Sequence, residues 1–378
     1  MKIAVLSTGL GHVARGVEAW ADSLATELFR RRLDVTLFKG GGSCSRPFER
    51  IIRCARRGHG TARFLKRISP RFGWRFGFGS VYEIEQTTFA LLVFLRLWRG
   101  RFQIIHVADP WLALLLERTR KFHRAKVILA HNTEESLDFL LKFQHVQEPV
   151  PHYLQNDYKN GLPSGSQWFA IPNFVDCQAF GPGSRDKARE KLHISKDSFV
   201  VLDVAALKFS HKRLDYLIKE VAFLRRKRPE LFLVIAGATT PETARLREIA
   251  FGALGQNHCL LADVDKDNMP DIYHAADIFA HSALFEMMPI ALLEALSSGL
   301  PLVTHRNPTY EWIAGSAGVM VDMEQPGNLA QALESFINNP GQLAERSCAA
   351  RKQAEDKFSK DHIVSQIVAM YETVLKDK

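Results

Sequence analysis

Short, almost uninterrupted apolar runs recur along the chain, and between them apolar positions fall three or four residues apart. In the first half, residues 3–7, 35–38, 104–107, 127–130 and 168–171 read as strands. Residues 17–31 carry Trp20, Leu24 and Leu28 at helical spacing, and 81–98, 111–120 and 137–143 also read as helices. Unbroken apolar strands suit a sheet covered on both faces, and the β–α–β order suits parallel pairing. Residues 145–165, rich in Pro, Gly, Asn and Asp, read as irregular. The segment IPNFVDCQAFGPG then has the prolines and glycines of a junction, near 172–183. Beyond it the rhythm restarts, with strands at 199–206, 231–236, 258–261, 278–280 and 318–321 and helices at 214–226, 243–250 and 269–275. A last helix, 362–375, places Ile363, Ile367, Val368 and Tyr371 on one face. The expected fold is α/β, with two Rossmann-like doubly wound domains, 1–172 and 173–360. A C-terminal helix, 361–378, is expected to pack back on the first.

The most informative stretch is HSALFEMMPIALLEALSSGLPLVT, residues 281–304. Pro289 suits a helix start, Gly299 and Pro301 end that helix, and Leu302 and Val303 open a strand. Glu286 then lies just before the helix, and Glu294 lies about 12 Å further along it. Free N–H groups at a helix start can hold a phosphate, and two carboxylates so spaced can take hydroxyls at either end of a nucleotide-sugar. An ordinary amphipathic helix with solvated glutamates fits the same pair.

Three further sites carry candidate chemistry. In KFSHKRLD, Lys208, Lys212 and Arg213 lie where a strand passes into a helix. Cations converging there suit a diphosphate leaving group, and so does a solvated helix start. GLGHVA, residues 9–14, matches G-x-G-x-x-A after a strand and before a helix, the fingerprint of a dinucleotide site. The acid expected at the end of the second strand is replaced by Lys39, which would meet a 2′-phosphate. An NADP-dependent oxidoreductase is therefore one reading. A backbone approach of Gly11 to some phosphate or sugar is another, and a simple turn a third. His131, just past a strand in AHNTEES, stands where a ligand cleft would open. It could bond a sugar, move a proton or serve only structure. His106, with Asp109 close behind, has a similar place. Asp263-Val-Asp265 reads as loop, and no metal is expected.

Composition narrows the setting. With 378 residues and 46% hydrophobic content, the chain can build two cores. MKIAVLS is too short and too soon broken by Gly9 and Gly11 for a signal peptide, and the best apolar run, 89–95, cannot span a bilayer. Five cysteines without a CxxC pair point to a reducing, cytoplasmic setting with neither disulfides nor structural zinc. The net charge of +9 is concentrated in 46–75, where ten Arg or Lys face one acid, Glu49. Phe48, Phe64, Phe72, Trp74, Phe76 and Phe78 are interleaved there or close by. Arg53, Arg56 and Arg57 are the candidate contacts to an acceptor or to an anionic inner-membrane surface. A nucleic acid fits less well, and a solvated loop explains the same charge.

Together these motifs resemble the retaining glycosyltransferases of family 4, which have the GT-B fold. Glu286-x7-Glu294 followed by Ala295, Gly299, Pro301 and Val303 is similar to the family's E-x7-E signature. The likeness extends upstream through AADIFAHSALFE. HKRLDYLI, IPNFVD and RGVEAWADSLATEL resemble the family's basic loop, domain junction and first helix. The resemblance implies a metal-independent, cofactor-free enzyme that moves a sugar from a nucleoside-diphosphate sugar to a glycan or lipid-linked acceptor with retention of configuration. It implies that Glu286, beside Met287 and Met288, holds donor-sugar hydroxyls and that Glu294 holds the ribose. Lys212 with Lys208 or Arg213 would neutralise the diphosphate, Gly11 would approach it, and His131 would meet the sugar. A catalytically silent binding protein of the same fold is the remaining alternative. Met287 and Pro289 stand where the family has glycines, Ala206 where it has Arg, and Phe174 where it has Gly. A narrowed or unusual donor choice is expected from these departures.

Overall fold

The computed structural model of the chain describes residues 1–13, 15–157, 161–162 and 165–376. Ala14, the last position of the 9–14 fingerprint, lies outside them. So do 158–160 and 163–164 of the stretch read as irregular, and 377–378 of the terminal segment. The chain divides into two compact units, Met1–Asn173 with Ile363–Lys378, and Phe174–His362.

The first unit is built on strands β1 (Lys2–Ser7), β2 (Asp34–Lys39), β3 (Glu49–Ile51), β4 (Ile104–Val107), β5 (Lys126–Ala130), β6 (His145–Glu148) and β7 (Gln167–Ala170). They lie in the order β3-β2-β1-β4-β5-β6-β7, and all are parallel. Ala4, Leu6, Ile105, Val107, Val127 and Leu129 point into one core, and the alternating Ile3, Val5, Ile104 and Ile128 are fully buried on the other face. This double burial is why the strands read as continuous apolar runs.

Two strands depart from the sequence pattern. β3 lies inside the basic segment, where no strand is expected because two of its three residues are charged. Glu49 is nonetheless buried, accepting from Ser45 N at 2.8 Å and from Arg46 Nε at 2.8 Å, with Lys39 Nζ 3.1 Å away. β6 lies in the stretch read as irregular. Its sequence is HVQE, yet all four residues are buried, because the polar side chains bond inside the unit. Gln147 Nε2 donates to the Ile171 carbonyl at 3.0 Å.

The second unit holds β8 (Phe199–Val204), β9 (Leu231–Ala236), β10 (Cys259–Ala262), β11 (Ile278–His281), β12 (Leu302–His305) and β13 (Gly318–Val321), ordered β10-β9-β8-β11-β12-β13 and parallel. Val200, Leu202 and Phe279 enter one core, Val201, Ile278 and Ala280 the other. Helices Pro308–Ala314, Asn328–Asn338 and Pro340–Gln353 complete the cover.

The final helix, Lys360–Lys376, buries Ile363, Ile367, Met370, Tyr371 and Val374. Tyr371 Oη hydrogen-bonds His106 Nδ1 at 2.6 Å, and Trp20 meets the same imidazole edge-on. Burial pushes the His106 pKa down to about 3, so this histidine is a neutral core group. Where the chain enters and leaves the second unit, Val175 and Ser359 form a parallel bridge.

Candidate active site

In parallel α/β sheets, groups beyond the carboxyl ends of the strands are the ones free to meet a ligand. In the second unit those ends bring Asp203 (β8), His281 (β11), the loop carrying Glu286 and the basic loop 206–213 together. His281 Nδ1 lies 3.3 Å from Asp203 Oδ1 and its Nε2 2.9 Å from Glu286 Oε1. Lys212 Nζ donates to the same Glu286 oxygen. Asp203 and His281 are buried, and the second Asp203 oxygen has no partner among the described residues.

The electrostatics of this chain are cooperative. Burial disfavours a charged His281, but the carboxylates of Glu286 and Asp203 override it and raise its pKa to about 9. Burial would likewise raise Glu286, but His281 and Lys212 pull it down to about 2. At neutral pH an imidazolium at His281 therefore faces a carboxylate at Glu286.

Local structure holds the two loops in place. His211 and Arg213 both take left-handed backbone, at φ 69° and 51°, which costs an ordinary side chain about 1–2 kcal/mol. Ser282 Oγ secures the turn by donating to the Lys212 carbonyl at 2.7 Å. Asn307 Nδ2 donates to the Leu284 carbonyl at 2.9 Å and fixes the acidic loop. The helix after that loop runs Ile290–Ser297, with Pro289 just outside as its N-cap rather than inside its first turn. Met287 and Met288 are buried, and Met288 packs in the core. Glu294 Oε2 accepts from Tyr273 Oη at 2.6 Å. Burial raises the Glu294 pKa to about 7, against the lowering effects of Tyr273 and Lys266. Arg213 lies over the Tyr216 ring at 4.6 Å, and Lys208 is half-buried in the same loop.

The first unit has its own cluster past the strand ends. His131 Nδ1 pairs with Glu148 Oε2 at 2.6 Å, leaving Nε2 buried without a partner among the described residues. Gly11 has φ +94°, and a Cβ there would come within 2.3 Å of the Gly41 carbonyl, so this glycine is required by the close approach of two loops. Asp109 accepts from Thr8 N at 2.7 Å and from Tyr82 Oη at 3.0 Å. Glu18, raised to about 7 by burial and by Asp109, lies 3.7 Å from Arg57 Nη2.

Two readings of the sequence are corrected here. Arg57 is no surface contact: it is mostly buried, pairs with Glu85 and covers the Tyr82 ring. Arg56 is half-buried, its Nε donating to the Gly40 carbonyl, and only Arg53 of the three is exposed. Lys39 is buried against Glu49, which removes it from any 2′-phosphate and with it the argument for NADP.

Sequence reading passed over Asp203, His281, Tyr273, Glu148 and Glu85. The available signal was a charged or imidazole side chain closing an apolar strand, as in FVVLDV and IFAH.

The two doubly wound parallel sheets, each with polar residues at its carboxyl ends, match the GT-B class of α/β fold. The chain superposes on sucrose-phosphate synthase from Thermosynechococcus elongatus with a TM-score of 0.79 at 16% identity, covering 100% of both chains. It superposes on Anabaena HepE, solved in complex with UDP, with a TM-score of 0.75 at 16% identity, covering 99% of this chain and 100% of that one. Residues 184–354, nearly all of the second unit, match the model of glycosyl transferases group 1. A similar relative, D-inositol 3-phosphate glycosyltransferase of Rhodococcus jostii, is 29% identical over 219 residues, covering 53% of this chain and 48% of the relative. A homologue in Rhodococcus opacus is 28% identical over the same length, with the same coverage. The chain thus spans about half the length of the curated relatives it matches.

Proposed function

We propose that the chain is a glycosyltransferase that moves a sugar from a nucleoside-diphosphate sugar to a glycan or lipid-linked acceptor, with retention of configuration and without a metal ion. The observation that carries this reading is the chain of contacts Asp203–His281–Glu286–Lys212, followed eight residues on by the buried carboxyl of Glu294. It lies within the stretch matched by the family model.

In this reading Lys212 exchanges its contact with Glu286 for the incoming diphosphate, helped by Lys208 or Arg213. Glu286, still held by His281, then accepts hydroxyls of the donor sugar. Glu294 accepts the ribose hydroxyls. The unpartnered His131 Nε2 is the group of the first unit proposed to meet the transferred sugar. The bond from the sugar's anomeric carbon to the diphosphate breaks, and the electron pair leaves with the phosphate. The acceptor oxygen bonds that carbon on the same face, and its proton passes to the leaving phosphate oxygen. Cations beside the leaving group stabilise the charge that develops as the bond opens. Because Pro289 offers no N–H beside the two buried methionines, donor choice is proposed to be narrow.

Thermal unfolding against UDP, GDP, ADP, CDP, dTDP, NADH and NADPH tests the reading. UDP heads the panel because HepE was solved with it. A ligand at about 100 times its Kd adds about 2.7 kcal/mol. One nucleoside diphosphate should shift the transition, and Glu294→Ala should weaken that shift. A response to NADPH alone would overturn the proposal.

A further inference from the structure

The first unit exposes two groups of large apolar side chains, both carried on or beside the helix Val81–Gly100. The helix Gly60–Ile68 and the turn Gly73–Phe76 present Phe64, Ile68, Phe72, Trp74 and Phe76, each about three-fifths exposed. Ala62 alone of the short helix is buried, packing with Ile84 of the long one. The long helix buries Phe89, Val93 and Leu97 on one side. Its other side leaves Leu91, Leu92, Leu95 and Trp98 at least half exposed, and Phe122, edge-on to Phe94, extends that patch. Helical spacing of 91, 95 and 98 puts these three on one stripe.

Charge accompanies both groups. No Asp or Glu occurs in 60–76, 91–101 or 118–126, whereas Arg63, Lys66, Arg67, Arg71 and Arg75 lie in the first segment and Arg96 and Arg99 in the second. Arg75 lies over the Trp74 ring at 5.3 Å, an aromatic body with a cationic rim. Large apolar side chains exposed in such numbers on one unit are unusual unless something covers them.

We infer that these two groups are a docking face for a bilayer that contains anionic lipid. Leucines, phenylalanines and tryptophans enter the boundary between headgroups and acyl chains while flanking Arg and Lys reach lipid phosphate. A second copy of this chain fits poorly, because pairing the face with itself would bring like charges together. A nucleic acid fits poorly as well, because Leu91, Leu92 and Leu95 offer bases nothing to stack on. The inference differs from a contact through Arg53, Arg56 and Arg57, two of which are tied down elsewhere. It also stands apart from the transferase proposal, since its test reads vesicle binding and not sugar transfer.

The test is co-sedimentation of the full chain with vesicles of phosphatidylcholine alone and with about 30% phosphatidylglycerol, at low and raised salt. Binding should need the anionic lipid and weaken with salt, each lost Arg or Lys costing about fivefold in affinity. Phe64→Ser with Ile68→Ser and Trp74→Ser should lower binding at least tenfold, and so should Leu91→Ser with Leu95→Ser and Trp98→Ser. All six positions are exposed, so the variants should keep the parent's unfolding temperature. Phe223→Ser, at an exposed aromatic of the second unit, should bind like the parent. A triple variant that also binds like the parent removes its group from the proposal. Absence of binding to anionic vesicles overturns the whole, as does self-association or RNA binding that the same substitutions abolish without any vesicle binding.

Discussion

Asp203 touches His281, which in turn holds Glu286, so Asp203→Asn asks whether the imidazole between the two acids is charged. At 2.9 and 3.3 Å, each contact is worth about 5–6 kcal/mol before desolvation, taking an effective dielectric constant of about 20. Most of that is offset by taking the ring out of water. What survives is the rise from the ordinary 6.5 to about 9, equivalent to about 3 kcal/mol of folding stability. The group is held more tightly protonated in the folded chain, so this stability is complete below pH 6.5 and fades as pH rises through 9. Asp203→Asn keeps the shape and removes one of the two supporting charges. The expected cost is about 2 kcal/mol near pH 6.5, with the gap to the parent closing towards pH 9. Urea unfolding of parent and variant at intervals from pH 6 to 9.5 reads this directly, and His281→Gln should flatten the parent's slope between pH 8 and 9.5, above the range in which Glu18 and Glu294 titrate. A constant gap, or a His281→Gln protein with the parent's slope, would show that the ring is neutral and that Glu286 is held by other means.

Three more outcomes are expected. Glu294, raised to about 7 by burial, must ionise to accept ribose hydroxyls well. Nucleoside-diphosphate affinity should therefore rise as pH climbs through 7, and calorimetry in two buffers of different ionisation heat should find about half a proton released at pH 7. Gly11→Ala should cost about 2 kcal/mol by thermal unfolding, because of its positive φ and the Gly41 backbone behind it. Gly58→Ala, with open space around it, should cost far less. Glu49 has its pKa held down to about 2, the Arg46 and Lys39 contacts outweighing burial. Its contribution is present above pH 4.5 and lost towards pH 2, so Glu49→Gln should cost about 3 kcal/mol at pH 7 and progressively less in acid.

The strands buried on both faces were legible because at most a lone polar residue interrupts their interiors. Glu286, Glu294 and Lys212 stood out through the resemblance of their surroundings to a family signature, since their spacing alone fits an ordinary amphipathic helix and a solvated helix start equally well. The family model matches the stretch that holds all three. What escaped is polar and buried. β6 spells HVQE, and only the fold reveals that Glu148 meets His131 and that Gln147 finds a carbonyl. β3 hid inside a charged segment because Glu49 is satisfied by Arg46 and Lys39, partners that composition counts as surplus charge. Arg57 illustrates the same limit, since a run of arginines does not show which member turns inward to meet Glu85. Asp203 and His281 are distant in sequence and meet only because β8 and β11 are neighbours in the sheet.

The last helix also fixes an order of assembly. Residues 363–376 belong to the first unit, yet the ribosome makes them only after every residue of the second. Until then the seat against His106, which Tyr371 fills, stays vacant. The earlier-made unit is therefore finished last, and the intervening unit can fold while its predecessor still waits. A stalled chain ending near residue 360 should accordingly hold a protease-resistant second unit beside a first unit that is readily cut, and release of the remaining residues should protect both.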